Sequence, residues 1–344
     1  MRRSPKTSRT LVGLDIEPGA VAAAQVAADG PLTVQQTASA SLPPNVVRDG
    51  EVADVEALAE VLKAMFAEHK LDRRVRVGVA NQRIVVRTLE LPPVEDPKEL
   101  EAAVRFTAQD ELPMPLDEAV IDFHALGVVD TPAGPRQRVV LVAARRQMVE
   151  QVVQAIRAAG LRPEGIDLSA FAMVRAVGDG DPAPTLFLAV GGLSNLAIAE
   201  GGTVEFTRVS GSGLEGMAGI LAERRGIPVE EARHLLVSVG LDAPIEPGTE
   251  EESGMARSVI VEGVRRIAAE ARASLDFHHA SGDRARVERA VLTGSVVGVP
   301  GFTEALADEL GLPVVPGIVP GGPSDAHGAR FAIAAGLAVE EAAA

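Results

Sequence analysis

The chain has 344 residues, of which 47% are hydrophobic and 24% are charged, a composition typical of a folded globular protein. It contains no cysteine, tryptophan or tyrosine, which excludes disulfide bonds, cysteine-ligated metals and thiol nucleophiles. The formal net charge of -15 argues against a nucleic-acid partner, because such binding needs clustered lysine and arginine.

The first nine residues, "MRRSPKTSR", are basic and have no apolar face. We therefore predict a flexible basic tail over residues 1–9. No apolar region follows it, so it does not read as a secretory signal. No apolar stretch reaches the ~20 residues that span a bilayer, which predicts a soluble chain without direct membrane insertion.

Residues 10–91 alternate between strand and helix patterns. Three strands are predicted in succession, "TLVGLDI", "AVAAAQVAA" and "LTVQQTASASL", separated by turns that contain glycine or proline. A helix is predicted over about 53–69, where apolar residues recur at helical spacing and Asp54 can cap the start. "RVRVGVA" and "RIVVRTLEL" are predicted as two further strands.

The segment "LPPVEDP" breaks the pattern before a unit over about 92–164. Its predicted order is the helix "PKELEAAVRFTAQDEL", the strand "EAVIDFHAL", the loop "VDTPAGPRQ", the strand "RVVLVAA" and a last helix that ends at a glycine. This order indicates a small α+β insertion.

The three-strand opening recurs from residue 185 as "LFLAV", "NLAIAEG" and "VEFTRVSG". Helices are predicted at about 213–224, 229–237 and 256–279, then the strand "AVLTGS", the helix "GFTEALADELG", the strand "PVVPG" and one final helix over 325–342. The recurrence predicts a duplicated fold whose two glycine-bearing turns face one cleft. A chance similarity between two common hairpins is the alternative.

Several ordered motifs resemble the PilM family of type IV pilus assembly, which is actin-like. They include "LELPP", "LPMPLDEAVIDF", "VAARRQMVE", "AAGLRPEGIDLSAFA", "EARASLDFHH" and "VLTGSVVGVPGFTEALADELGLPV". The resemblance implies an α/β actin-like ATPase fold similar to that of FtsA, with two ribonuclease-H-like subdomains around a nucleotide cleft. The implied division is subdomain 1A at 10–91, 165–184 and 326–344, an inserted subdomain 1C at 92–164, subdomain 2A at 185–215 and 257–325, and subdomain 2B at 216–256.

The family's ligands imply ATP and Mg²⁺ as cofactors and a set of residues around them. In the actin-like superfamily an acid at the end of the first strand holds the metal, a position that Asp15 matches. Backbone N–H groups of two turns hold the phosphates, and further loops surround the nucleoside. The positions that match are Glu17, Pro18, Gly19 and Ala20 in the first turn, Gly191, Gly192, Leu193 and Ser194 in the second, and Gly211, Gly213, Glu231, Gly294, Ser295 and Val296 beyond them.

The same site departs from the family pattern. Glu17 replaces a glycine and Ala22 replaces a lysine, which adds repulsion toward a polyphosphate and removes a compensating charge. Ala189 replaces the second aspartate, Arg233 and Leu236 replace the acid and lysine of a helix motif, and Ser295 and Val296 replace smaller residues. We therefore expect nucleotide binding to be weakened or lost, while binding through backbone amides alone remains the alternative.

The family's partner is the N-terminal cytoplasmic peptide of the membrane protein PilN, bound beside the inserted subdomain. Leu100, Ala103, Val104 and Ala108 form an apolar stripe that is typical of a helix core face. Arg105 and Phe106 lie off that stripe and are the candidate contacts for a PilN-like peptide, with packing under the inserted subdomain as the alternative for Phe106. The resemblance implies a location in the cytoplasm beside the inner membrane, and it is compatible with other pilus assembly partners and with a homo-oligomer.

Overall fold

A computed structural model describes residues 10–27, 32–132, 134–280, 285–323 and 326–339. The predicted tail over 1–9 lies outside these residues. The chain divides into a larger unit, residues 1–80 with 155–344, and a smaller unit, residues 81–154.

The larger unit contains two five-stranded sheets with the same topology. The first has the order β10-β6-β1-β2-β3 and the second the order β13-β12-β11-β14-β15. In each sheet three consecutive antiparallel strands are followed by two parallel ones, so the predicted duplication is confirmed and the chance similarity is excluded. The bounds are β1 Thr10–Glu17, β2 Ala20–Ala27, β3 Val34–Ser41, β6 Arg74–Val79, β10 Arg162–Leu168, β11 Thr185–Val190, β12 Ser194–Glu200, β13 Thr203–Ser210, β14 Ala290–Thr293 and β15 Val314–Pro316, with a short ladder of β4 Val47–Arg48 and β5 Glu51–Val52.

The helices of the larger unit cover the faces of these sheets. One apolar core joins the second sheet to the helices that follow it, and a second core joins the other face of that sheet to the helix before it. The bounds are α1 Val55–His69, α4 Ser169–Val177, α5 Leu214–Arg225, α6 Val229–Val239, α7 Glu250–Ala280, α8 Phe302–Leu310, α9 Ala326–Ala329 and α10 Ala332–Leu337. As predicted, Asp54 caps α1, because its carboxylate accepts a hydrogen bond from the Ala57 amide at 2.9 Å.

Helix α10 is packed deeply between β1 and α4. A Cβ added to Gly13 would lie 1.8 Å from the Ala334 carbonyl oxygen, and one added to Gly336 would lie 1.8 Å from that of Ala172. Two arginines donate to carbonyls at the end of the helix: Arg175 to Gly336 at 3.1 Å, and Arg76 to the carbonyl of residue 339 at 2.7 Å. Only glycine permits the close backbone approaches at positions 13 and 336. The positive charges of the two arginines also interact favourably with the negative C-terminal end of the helix.

The smaller unit has a three-stranded sheet with the order β7-β9-β8, and one helix on its apolar face. The predicted stripe on that helix is confirmed as core, since Val104 and Ala108 have no exposed surface. The bounds are β7 Val85–Leu91, α2 Pro97–Glu111, β8 Ala119–Thr131 and β9 Gly134–Arg145, and α3 Arg146–Ala158 then leads into the larger unit.

Two predictions about local structure are wrong. The segment predicted as a loop at 129–137 is mostly strand, because Val129, Asp130 and Thr131 continue the ladder opposite Arg136, Pro135 and Gly134. The single helix predicted over 325–342 is two short helices, α9 and α10, separated at Arg330 and Phe331.

In the part of the chain that the structure describes, every helix is too short or too polar to cross a membrane.

Candidate nucleotide cleft between two hairpin turns

A cavity of about 270 Å³ lies between the β1–β2 turn and the β11–β12 turn of the larger unit. Strand β1 ends at Glu17 and β2 begins at Ala20, whereas β11 ends at Val190 and β12 begins at Ser194. The residues that line it are Glu17, Pro18, Gly19, Ala20, Ser41, Gly191, Gly192, Leu214, Glu215, Arg233, Val237, Ser295, Gly298 and Arg330. All four predicted residues of the first turn and the two glycines of the second therefore line one cavity.

The carboxylate of Glu17 lies directly on the second turn. Its Oε2 accepts a hydrogen bond from the Gly192 amide at 2.8 Å. A Cβ added to Gly191 would lie 2.3 Å from the same oxygen. The acid of the first turn thus occupies the space above both glycines of the second.

A second carboxylate, that of Glu215, lies on the first turn. Glu215 is in the first turn of α5, and Arg233 of α6 binds both of its oxygens, with the Nη2 to Oε2 distance at 2.9 Å. A Cβ added to Gly19 would lie 2.4 Å from the Glu215 carboxyl carbon, and Gly19 has φ +81°. Glycine is therefore required at position 19 for two reasons: the backbone is in the left-handed region, and the Glu215 carboxylate leaves no room for a Cβ.

Asp15 is buried near the end of β1 and does not line the cavity. Its side chain is 8% exposed, and burial raises its pKa to about 7, although the nearby Arg330 cation and a hydrogen bond from the Ser169 hydroxyl favour the charged form. The pKa of Glu17 is raised to about 8, first by burial and then by the neighbouring charge of Asp15, against the Gly192 hydrogen bond and Arg330. The two acids therefore hold protons close to neutral pH.

Four of the residues predicted in and after the second turn do not line the cavity: Leu193, Ser194, Gly211 and Gly213. Ser194 donates its hydroxyl to the Ser212 carbonyl, and a Cβ added to Gly213 would lie 2.6 Å from the Gly191 carbonyl oxygen. The remaining positions shape the backbone: Leu193 is buried, and the Gly211 carbonyl accepts from the Gly213 amide at 3.0 Å.

On the nucleoside side, the predicted residues are divided. Ser295 lines the cavity, but Val296 is fully buried in the core of the second sheet. Gly294 has φ +91°, and a Cβ there would lie 2.4 Å from the Val190 carbonyl oxygen. Glu231 is exposed on α6 and does not line the cavity, whereas Arg233, two positions further along the same helix, does.

The residues present do not fit a magnesium-bound triphosphate in this arrangement. The Gly192 amide, which a phosphate would use, is already bonded to Glu17, and Glu215 covers Gly19. Among the described residues, no three histidine, aspartate or glutamate side chains are grouped to hold a metal ion. Two acids and two arginines line the cavity, and Arg233 is already paired with Glu215.

Comparison with known proteins places the fold and the family. A family model described as type IV pilus assembly protein PilM matches residues 13–316. The chain belongs to the PilM family.

Several solved structures share the fold of this chain, and one of them contains PilM. A structure titled PilM-PilN type IV pilus biogenesis complex is 25% identical, covers 97% of this chain and 98% of its own, and has a TM-score of 0.77. The ethanolamine utilization protein EutJ from Carboxydothermus hydrogenoformans is 15% identical over 98% of this chain and 91% of its own, with a TM-score of 0.60. MreB5 of Spiroplasma citri, solved with ADP, is 13% identical over 96% and 95%, with a TM-score of 0.56. These neighbours confirm the actin-like fold.

The two candidate partner contacts of this PilM-family chain lie on α2 of the smaller unit. Phe106 is 72% exposed, which is unusual for a large apolar side chain, and Arg105 forms an ion pair with Glu101 at 3.0 Å. Both side chains point away from the core of the unit.

Sequence reasoning missed three charged residues at the cleft of this PilM-family chain. Glu215 follows the glycines at 211 and 213. Arg233 was recognised only as a departure from the family motif. Arg330 lies far along the chain, between α9 and α10. The acidic residue directly after a glycine-rich turn was the one local signal for Glu215, since acids favour the first turn of a helix.

Proposed function

We propose that this chain is a cytoplasmic actin-like scaffold of the type IV pilus assembly complex at the inner membrane. It would bind the N-terminal cytoplasmic peptide of a PilN-like membrane protein and reach the membrane through that partner. The observation that carries this proposal is the similarity to the PilM-PilN complex over 97% of this chain.

The smaller unit offers the candidate contacts for the peptide. An exposed phenylalanine beside an arginine provides one apolar and one cationic contact, and such residues are enriched where proteins bind each other. Phe106 and Arg105 on α2 are such a pair. We therefore propose that they contribute to the peptide site.

Calorimetric titration with a PilN-like N-terminal peptide tests the scaffold role. The full chain should bind the peptide, and Phe106→Ala should weaken binding about tenfold, a loss typical of an exposed aromatic anchor. Phe277→Ala is the matched control, because Phe277 is 61% exposed but lies on α7 of the larger unit. No heat of binding at high peptide concentration would contradict the scaffold role, and an equal loss in both variants would contradict the place of Phe106.

Nucleotide binding is the second part of the proposal, and we propose that it is weakened or lost. Glu17 on the Gly192 amide and Glu215 on Gly19 support this, because a triphosphate would have to displace both acids. The test is thermal unfolding of the full chain with and without magnesium ATP. A ligand that binds the native state raises the melting temperature, so an unchanged temperature is the expected result.

A magnesium-ATP-binding protein whose nucleotide state regulates pilus assembly is the second candidate. The cavity of about 270 Å³ between two glycine-containing turns, together with the buried Asp15 near the end of β1, favours this hypothesis. Magnesium-dependent stabilisation by ATP that Asp15→Ala abolishes would establish magnesium-ATP binding and overturn the proposed loss of nucleotide binding.

A further inference from the structure

The two hairpin turns of the cleft are linked crosswise by carboxylates. Glu17 belongs to the first sheet and lies on the second turn, whereas Glu215 belongs to the helix after the second sheet and lies on the first turn. Each glycine turn is thus covered by an acid from the opposite half of the larger unit.

The contact of Glu17 has the chemistry of an anion site. Successive backbone amides in a glycine-rich turn form a concave site for phosphate or carboxylate oxygens. The Gly192 amide donates to Glu17 at 2.8 Å, and the Glu17 carboxyl carbon lies within 2.7 Å of the place where a Gly191 Cβ would be. A carboxylate therefore stands where this kind of turn holds a phosphate oxygen.

The orientation of the Glu215 side chain is fixed by a residue of α6. Arg233 binds both carboxylate oxygens of Glu215, and such a bidentate ion pair holds the carboxylate in one orientation. The Leu214 amide also donates to the Gly191 carbonyl at 2.7 Å, which ties the start of α5 to the second turn. The position of Glu215 is therefore set by α5 and α6 together.

Two arginines offset part of the negative charge of Asp15, Glu17 and Glu215 at the cleft. Arg233 pairs with Glu215, and Arg330 is the cation that faces Asp15 and Glu17. Burial raises the pKa of both Asp15 and Glu17, so protons supply part of the neutralisation near neutral pH.

We propose that Glu17 and Glu215 are built-in replacements for phosphate, which hold the two hairpin turns of this chain together in the absence of nucleotide. The inference rests on the proposed loss of nucleotide binding and gives it a structural cause. It also assigns Arg233 a role, as the residue that positions Glu215 on the first turn.

The decisive variant is Glu17→Gly, which removes the acid from the second turn. Calorimetric titration with magnesium ATP should show binding at least about tenfold tighter than in the unmodified chain. Glu200→Gly is the matched control, since Glu200 is an exposed acid at the end of β12, and it should bind as weakly as the unmodified chain. Equal affinity in Glu17→Gly and the unmodified chain would overturn the proposal.

Amide hydrogen exchange over residues 190–194 tests the contact without any ligand. The Gly192 amide should exchange slowly in the unmodified chain and in Glu17→Gln, whose side-chain oxygen still accepts the hydrogen bond, and faster in Glu17→Gly. Rapid exchange in the unmodified chain would overturn the proposal even where Glu17→Gly fails to fold.

Peptide titration on the same samples separates this inference from the scaffold role. Absence of PilN-like peptide binding in every sample would refute the scaffold role and leave the exchange result to decide on the acids. Tight magnesium-ATP binding by the unmodified chain would refute the loss of nucleotide binding, and protection of the Gly192 amide would still report separately on Glu17.

Discussion

The two hairpins at the cleft share one backbone plan but place their polar groups on opposite strands. In the first hairpin the acid is on the leading strand, where Asp15 faces Ala22 of β2. In the second the leading strand has Ala189, and the polar residue facing it is Asn195 of β12. A duplicated fold can therefore keep its strand order while the chemistry of its two halves diverges.

The two turns also differ in the residues they carry. The first turn carries its own acid, Glu17, and the second carries two glycines that leave room for it. Gly191 and Gly192 thus contact the carboxylate of Glu17, which the first turn contributes. The two turns are therefore complementary rather than equivalent. Substitutions in one turn should consequently change how the other turn packs and alter the free energy of unfolding.

Gly192→Ala should have the largest effect. Its Cβ would lie 2.2 Å from the Pro18 carbonyl oxygen, a backbone atom that no side-chain rotation can move away. We expect a loss of about 3 kcal/mol in the free energy of unfolding, measured by chemical denaturation. Gly211→Ala is the control, because nothing lies within 4 Å of an added Cβ there, and equal losses in both variants would refute the close approach of the turns.

Gly191→Ala should cost less, about 2 kcal/mol, since the added methyl meets only the end of the Glu17 side chain. Adding Glu17→Gly should remove most of that loss, because the clash then has no partner. A double-mutant cycle of unfolding free energies measures this coupling. Strictly additive losses would show that the two residues do not touch.

The pH dependence of stability should follow the two buried acids. Burial raises the pKa of Asp15 to about 7 and of Glu17 to about 8, so the native chain keeps protons that the unfolded chain releases. The free energy of unfolding should therefore fall as pH rises from about 4 to about 8, by at most about 1.4 kcal/mol per pH unit for each proton. Denaturation curves across this range should show a shallower fall in Glu17→Gln, and an unchanged slope would contradict the raised pKa of Glu17.

Asn195→Leu should have the smallest effect and the opposite sign. Asn195 is 4% exposed, and neither its amide oxygen nor its amide nitrogen has a protein hydrogen-bond partner in the described part of the chain. An apolar side chain of similar shape avoids burying unpaired polar atoms, so we expect about 1 kcal/mol of added stability in denaturation curves. A clear loss of stability would mean that the amide has a bonding role in the second hairpin.

The two three-strand openings could be predicted from the sequence because their signals are local, whereas β10, the edge strand of the first sheet, was not predicted. Alternating strands, glycine turns and the cap at Asp54 each lie within a few neighbouring residues, and the structure confirms them. The two strands of the β8–β9 hairpin were predicted, but their extension through residues 129–137 was not. Pro132, Gly134 and Pro135 are typical of loops, although Pro135 is accommodated opposite Asp130.

The contacts at the cleft could not be predicted in the same way. Glu17 and Gly192 are 175 positions apart in the chain, and no local pattern indicates that a carboxylate reaches that amide. Arg330 approaches Asp15 only because the final segment folds back as two short helices instead of the single one predicted. Long-range pairing decides these contacts, and it depends on the whole fold.

The packing of α10 has a consequence for the order of folding. This helix contacts β1 through Gly13 and α4 through Gly336, so residues more than 300 positions apart complete one core. Contacts of such high sequence separation slow folding, because a long loop must close before they form. During synthesis the first sheet should thus stay incompletely packed until α10 has emerged from the ribosome, which leaves its apolar strands exposed in the nascent chain for that time.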